Sequence, residues 1–464
     1  MKPNVIDEIV KNDLCIGCGI CAGVCPQKIL KIRGNEYGEY IPSEAQVCDS
    51  HCGLCLEVCP FNSNENETQM GAKIYGSTEG IKYLSETGYY LDSYAGYSNE
   101  FRQSSASGGM ATWLLTKLLK EGLVDYVICP TPQKNPEKLF SFEILKDENS
   151  VKAASGSVYY PVEMSEVIQK IQEVPGRYAV TGLPCFIKAL RLATQKNRKL
   201  RERIVFTIGL VCGQMKSKNY TKYIATLAGN GNSRKIQEVN YRGKSPEKPA
   251  SNFYFQSTDE HGSQQKIFWN EGVSEAWANR WFTPNACNYC DDVFAELADV
   301  TFMDAWLPEY SKDSRGTNIV LVRSPKVLDI IQEGIKKEEI NVSKISVEKV
   351  IQSQAGVIEL KRKQLSYRLY LAEQKGRKTP EKRVNASKDI GILKRREIKL
   401  KAKMQEESKQ LFLGCYQDHT LNIKTFRDGM HPYIKQIRPL RMLGRFAFPI
   451  RIIKKISKVE GKKK

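Results

Sequence analysis

Eight of the fourteen cysteines fall within the first sixty of 464 residues, in two runs that each end in Cys-Pro. Cys15, Cys18, Cys21 and Cys25 follow C-x2-C-x2-C-x3-C before Pro26; Cys48, Cys52, Cys55 and Cys59 follow C-x3-C-x2-C-x3-C before Pro60. Three thiolates spaced so closely can wrap one tight loop around an iron-sulfur cube, while the fourth, leaving on the turn that proline enforces, reaches a second cube. The spacing therefore assigns Cys15, Cys18, Cys21 and Cys59 to one 4Fe-4S cluster, and Cys48, Cys52, Cys55 and Cys25 to another. A four-cysteine zinc site normally joins two separated C-x2-C pairs, which these runs are not.

The rest of the composition agrees. A chain of this length with 41% apolar residues can build two or three domains. No apolar run follows the basic residue near the start, and stretches such as 204–212 are too short to span a bilayer, so a cytoplasmic protein is expected. A reducing cytosol would not keep disulfides closed, which leaves metal ligation as the use for so many cysteines. The histidines, His51, His261, His419 and His431, are scattered, which argues against a histidine-based zinc or non-haem iron centre. Charge is uneven: residues 361–464 hold 30 Lys and Arg against 9 Asp and Glu, a net of +21 beside +19 for the whole chain, so residues 1–360 carry −2.

Residues 1–62 read as a ferredoxin-type module, in which Gly17, Gly19 and Gly53 free the backbone to approach a cube. A polar linker is expected over 63–90. Strands are expected at 124–129, 177–181, 204–211, 253–257, 298–303 and 318–323, and helices at 110–121, 186–194 and 325–337. This alternation predicts a mixed α/β domain with a parallel or mixed sheet over 91–360. A basic, mainly helical extension over 361–464 follows, clearest around 391–410 and irregular towards its end, where Pro432, Pro439 and Pro449 should interrupt any long helix. The fold class is thus α+β, a two-cluster ferredoxin module ahead of a mixed α/β domain.

Six cysteines remain. Cys185 stands at a strand-to-helix turn, Cys212 ends a buried strand, and Cys287 with Cys290 forms C-x2-C. Strand ends of an α/β sheet converge on one crevice. Four thiolates there would suit a third 4Fe-4S cluster or a zinc ion equally well, with a redox-active C-x2-C or inert buried thiols as further readings. Cys129 and Cys415 have no partner motif. The sequence SSASGG at 104–109 precedes a helix and could cradle a phosphate with free amides and the positive helix end, although a serine-rich helix cap accounts for it as well.

Together the segments FRQSSASGGMATWLL, AVTGLPCFIKALR, FTIGLVCG, CNYCDDVFAELADVTFMDAW and GTNIVLVRS resemble the coenzyme F-420 hydrogenase and dehydrogenase beta-subunit family, in its long form with an N-terminal ferredoxin module. The resemblance spans roughly residues 10 to 340. It implies a bound FAD and a 4Fe-4S cluster in the α/β domain, which is then flavin-binding. Carried over by position, Cys185, Cys212, Cys287 and Cys290 become ligands of that third cluster. Ser105, Ser107, Gly108, Gly109 and Thr112 become flavin contacts. Met303 departs from the family pattern, where a glycine is expected before Asp304.

The function expected from this reading is an iron-sulfur flavoprotein oxidoreductase. It would pass electrons from a one-electron donor through the clusters and FAD to a two-electron acceptor, either coenzyme F-420 or a small organic substrate, with surface polysaccharide synthesis among the settings of relatives. A flavin reconciles one-electron and two-electron chemistry. Asp304 is the candidate catalytic group, as proton donor or flavin contact. The rival reading is a non-catalytic electron-transfer subunit docked on a partner redox enzyme. Partners would be a ferredoxin or F-420. The basic tail carries no recognition helix or zinc finger, which argues against nucleic acid. Its end mixes Phe446, Phe448, Ile450, Ile452 and Ile453 with cations, a composition suited to peripheral contact with the inner face of an anionic membrane.

Overall fold

A computed structural model describes residues 4–46, 48, 52–230 and 234–460, with side chains described as far as residue 443. An eight-stranded mixed sheet holds the centre. Its strands are β1 (Asp92–Ser98), β2 (Tyr126–Pro132), β3 (Phe140–Leu145), β4 (Tyr178–Gly182), β5 (Ile204–Leu210), β6 (Val300–Asp304), β7 (Asn318–Val322) and β8 (Ile340–Lys344), in the spatial order β8-β1-β7-β6-β5-β4-β2-β3. Strands β2, β4, β5 and β6 run parallel, and β3 on one side and β7, β1 and β8 on the other pair antiparallel.

Both faces of this sheet are covered, which is why β5 (IVFTIGL) and β7 (NIVLV) are almost continuously apolar. Successive strand residues point to opposite faces. Val127, Ala179 and Ile208 pack with Trp113, Leu114 and Ile331 under the helices Met110–Lys120 and Pro325–Lys336. Ile128 and Val180 face the other way, towards Ile187 and Leu190 of the helix Pro184–Lys196.

The N-terminal module shares that second core. Its Ile20 and Val24 are buried in one cluster with Met164, Ile168 and Ile171. The Met164 amide donates to the Cys18 carbonyl at 2.9 Å, and a Cβ on Gly23 would stand 2.7 Å from Ile168. Within the stretch expected as a polar linker, Glu67–Tyr75 is a helix opened by an Asn66–Gln69 capping box, and its Glu67 pairs with buried Lys188 at 3.3 Å. A small antiparallel sheet (Ile236–Gly243, Tyr254–Asp259, Gln264–Phe268) lies beside the main one.

The basic extension folds back over the rest. Helices Ile392–Cys415 and Ile423–Glu460 are joined by a two-residue-paired hairpin, Tyr416–Gln417 with Thr420–Leu421. Pro432 and Pro439 lie inside the second helix, so prolines do not break it as the sequence suggests. Met430, Ile434 and Ile437 on that helix are buried in the main core, and this packing offsets a cost of about 3 kcal/mol per interior proline. The side chains of Phe446, Phe448, Ile450, Ile452 and Ile453 lie outside the described residues. Among the described residues no helix is long and apolar enough to cross a membrane.

Candidate redox centres

The two N-terminal cysteine runs build matching loops. Gly19 and Gly53 take left-handed φ of 77° and 71° and open the short helices Ile20–Gly23 and Leu54–Glu57. Each helix carries the third cysteine of its run, Cys21 or Cys55, and the fourth, Cys25 or Cys59, follows the capping residue Val24 or Val58. Gly17, φ 71°, leaves no room for a side chain, since a Cβ would stand 2.5 Å from the Tyr40 carbonyl. Burial pushes the Cys15, Cys18 and Cys59 thiols up to about 12, and the neighbouring thiols add to this; Cys21 is also pushed well up, by burial and by Cys18, Cys15, Cys59 and Cys55. The fourth thiol of the second run thus sits with the first three of the first. Cys55 adjoins Cys52 and Cys48. Cys25 is half-buried at the position that mirrors Cys59.

A second quartet occupies the carboxyl edge of the parallel strands. Cys185 follows β4 in the first turn of the helix Pro184–Lys196, Cys212 follows β5, and Cys287 and Cys290 lie in and just after the short turn Asn285–Tyr289. The thiols raise one another: Cys185 is pushed well up by burial and then by Cys290, Cys212 and Cys287. Lys361 Nζ donates to Cys290 Sγ at 3.1 Å and to the Asp292 carbonyl at 2.7 Å. Arg280, in a left-handed turn with φ 63°, is buried with none of its three side-chain nitrogens hydrogen-bonded, and it feels Cys287, Cys212 and Cys290. Buried Arg368 adds to this surround, lowered to about 9 by burial and by Arg280, whereas buried Lys216, pushed well down by burial and Arg280, donates to the Trp281 carbonyl at 2.7 Å. An orphaned guanidinium in such a place calls for a negative group. A 4Fe-4S cube held by four thiolates is one. Among the described residues, no three His, Cys, Asp or Glu groups are gathered as they would be around a single ion.

The same edge carries the serine-glycine loop. From β1 outward come the loop at 99–109, then Asn318 opening β7, Asp304 closing β6, Cys212 after β5 and Cys185 after β4. Gly109, φ 78°, caps the helix Met110–Lys120, whose first amide donates to Asn318 Oδ1 at 3.1 Å. Ser105 and Thr112 hydroxyls meet at 3.3 Å, and Ser107 Oγ donates to the Thr317 carbonyl at 3.1 Å. Gly108 is wedged between strands, where a Cβ would stand 2.7 Å from the Gly96 carbonyl. Asp304 accepts Arg242 Nη1 at 2.7 Å. Burial opposes the charge on Arg242, but Asp304 and Tyr159 outweigh it. Lys244 Nζ donates to the Ser107 carbonyl at 2.9 Å and is lowered to about 8 by burial, Arg242 and Arg102. No sequence motif singles out Arg242, Lys244, Arg280 or Lys361. Arg242 and Lys244 stand at the end of a strand in YRGK, the one local hint; Arg280 and Lys361 carry none. Cys129 is buried within β2 and Cys415 ends the helix Ile392–Cys415.

Comparison with known proteins bears on these centres. Residues 14–63 match a 4Fe-4S dicluster domain. An F(420)H(2) dehydrogenase component of Methanosarcina mazei is 24% identical over 345 residues, 71% of this chain and 86% of that protein. The coenzyme F420-dependent sulfite reductase of Methanocaldococcus jannaschii is 24% identical over 358 residues, 72% of this chain; the match spans 49% of the reductase, about half its length. A chain from the solved F420-reducing NiFe hydrogenase complex of Methanosarcina barkeri aligns with a TM-score of 0.48 and 17% identity, over 62% of this chain and 96% of that one. Residues 93–169 and 176–348 match the N-terminal and C-terminal parts of the coenzyme F420 hydrogenase/dehydrogenase beta subunit, more than half of the sequence, and the chain belongs to that family.

Proposed function

We propose that this protein is an iron-sulfur flavoprotein oxidoreductase that accepts single electrons at its N-terminal clusters and delivers pairs to coenzyme F-420 or a small organic acceptor. The observation that carries the reading is the inner quartet, Cys185, Cys212, Cys287 and Cys290, set among buried cations at the strand edge that also bears the serine-glycine loop. Cubes move one electron at a time and a flavin collects two, which is the chemistry these groups supply when bound.

The chain's own residues hold and tune them. Cys15, Cys18, Cys21 and Cys59 would ligate one cluster, Cys48, Cys52, Cys55 and Cys25 a second, and the inner quartet a third. Ser105, Ser107, Gly108, Gly109 and Thr112, at the start of a helix and flanked by Arg242 and Lys244, would receive the FAD, whose anionic pyrophosphate suits free amides and cations. Asp304, held by Arg242, serves as the countercharge that fixes this arginine rather than as a proton donor. Cys287 is buried, while Cys185, Cys212 and Cys290 are partly buried at the strand edge.

Anaerobic purification with iron, sulfide and flavin quantitation tests the reading. About twelve irons and one FAD per chain are expected from three cubes beside a flavin; about eight irons with bound zinc would remove the inner cluster. Reduction of F-420 by the isolated chain marks an enzyme, whereas turnover only with an added partner marks an electron-transfer subunit of a larger complex. Vesicle co-sedimentation with and without residues 444–464 tests contact between the basic end and an anionic membrane.

A further inference from the structure

Charge is divided unevenly between the outer and inner cysteine sites. Of the fourteen thiols Cys52 alone is exposed, which puts the second N-terminal run at the surface. The first run faces inward. Asn285, on the turn that carries Cys287, donates its side-chain amide at 3.0 Å to the carbonyl of Asp13, two residues before Cys15. Tyr289, between Cys287 and Cys290, is buried on that turn and feels Asp13. A second link runs through Lys382, whose Nζ lies 5.7 Å from the centre of the Phe61 ring, just after Cys59, and donates at 3.3 Å to Asp291, just after Cys290.

Carboxylates stand around the first run. Glu163 lies against the Gly19 turn, where a side chain on the glycine would collide with it, and its Oε2 accepts the Ser165 amide at 2.6 Å. The Cys18 thiol feels Glu163, and the Cys15 thiol feels Glu39 and Asp13. Lys409 offsets Glu39, whereas the bond that Glu163 makes is to a neutral amide. The inner quartet has the opposite surround. Lys361 donates to Cys290 and to a carbonyl, Arg368 to the Asn288 and Leu360 carbonyls at 2.7 and 2.8 Å, and Arg280 to nothing. None of these bonds ends on a carboxylate. Asp291 and Glu296 nearby are matched by Lys382, Arg383 and Arg362, which leaves Asp292, pushed up to about 7 by burial and Glu296, as the neighbouring carboxyl outside those pairs. Reduction adds negative charge, so cations favour the reduced state of a cube and carboxylates the oxidised one.

We infer that the chain is built to draw electrons inward. Glu163 holds the site of Cys15, Cys18, Cys21 and Cys59 at low potential, and Lys361, Arg280 and Arg368 hold the inner quartet at a higher one. The two exchange electrons across the Asn285–Asp13 contact, and entry is at the second run, beside exposed Cys52. Each transfer oxidises one centre and reduces the next by one electron, with no bond made or broken. The inference rests on the three-cluster reading above and adds the physical basis of its direction.

A redox titration of the full chain, purified anaerobically and followed by electron paramagnetic resonance, tests it. Cys287→Ser marks the inner signal by its loss. That signal should appear at a higher potential than either N-terminal one and should broaden as the N-terminal centres take up electrons. Glu163→Gln should shift one N-terminal midpoint upward and leave the inner one in place, with iron content and circular dichroism unchanged. An inner midpoint at or below either N-terminal one would overturn the direction. An inner signal of constant shape would overturn the contact, and an unmoved N-terminal midpoint in Glu163→Gln would overturn the role of that carboxylate. About eight irons per chain would instead remove the three-cluster reading on which the inference stands.

Discussion

A lysine 3.1 Å from a thiol sulfur alters what a cluster on that sulfur can do, because positive charge favours the more reduced, more negative state. Lys361 is buried, and its charge is maintained against burial by Cys290 and Cys212. Lys361→Gln should therefore lower the midpoint potential of the cluster proposed on the inner quartet, by roughly 40 mV or about 1 kcal/mol for a one-electron couple, whereas Lys361→Arg should hold it. A redox titration followed by electron paramagnetic resonance reads the shift. At Asp304 the same reasoning runs through stability. Arg242 is buried, donates to Asp304 at 2.7 Å, and its Nε already lacks a partner. Asp304→Asn leaves the guanidinium without its countercharge, and about 3–5 kcal/mol should be lost in chemical denaturation. A residue acting solely as a proton donor would leave the denaturation midpoint unmoved.

Elements set these residues in place, and they differ in how plainly the sequence announces them. Strands β5 and β7 are legible because an interior parallel or central strand is apolar on both faces, and helix Pro325–Lys336 because proline marks its first turn. Strand β1, DSYAGYS, has no such mark: its small and polar residues pair with β7 and β8 on either side, so tertiary pairing and not propensity makes it a strand. The cysteine quartets show in their spacing. The cations around the inner quartet do not, because Lys361 reaches Cys290 from 71 residues away. The serine-glycine loop shows its glycines but not their reason: Gly108 is small because backbone lies 2.7 and 2.8 Å from where its Cβ would be. Gly108→Ala should thus cost about 1–3 kcal/mol by overpacking, read as a lowered thermal midpoint of the protein even without flavin. In helix Ile392–Cys415, burial opposes ionisation of Glu397, but Lys401 and Lys394, each at 2.8 Å, prevail and bring it down to about 2. A carboxylate depressed on folding contributes stability above its unfolded value of about 4.3 and loses it as pH falls towards 2. Glu397→Gln should flatten the acid limb of stability between those values and leave its slope near neutrality unchanged.

At the scale of the molecule, the extension that carries the excess charge also closes the structure. Lys409 pairs with Glu39 at 2.6 Å and Gln410 donates to Tyr37 at 2.9 Å, both on the N-terminal module, while Gln405 reaches Asn288 at 3.0 Å beside the inner cysteines. One helix thus ties outer and inner centres into a single body. The apolar seam beneath it is aromatic. Phe426 is fully buried, stacks on Phe282 at 5.6 Å, and meets Trp281 and Tyr223 at 5.7 and 5.2 Å. Phe282 follows Arg280 by two residues in the strained turn, so the position of the orphaned guanidinium rests on this seam. Phe426→Ala should cost about 3–5 kcal/mol from lost burial and the cavity left behind. It should also loosen the turn at Arg280 and release iron from the inner site sooner than from the N-terminal clusters when a chelator is added. Stepwise iron loss followed by absorbance and paramagnetic resonance separates the two. Equal release from all clusters would mean that the extension stabilises the fold without supporting the inner centre.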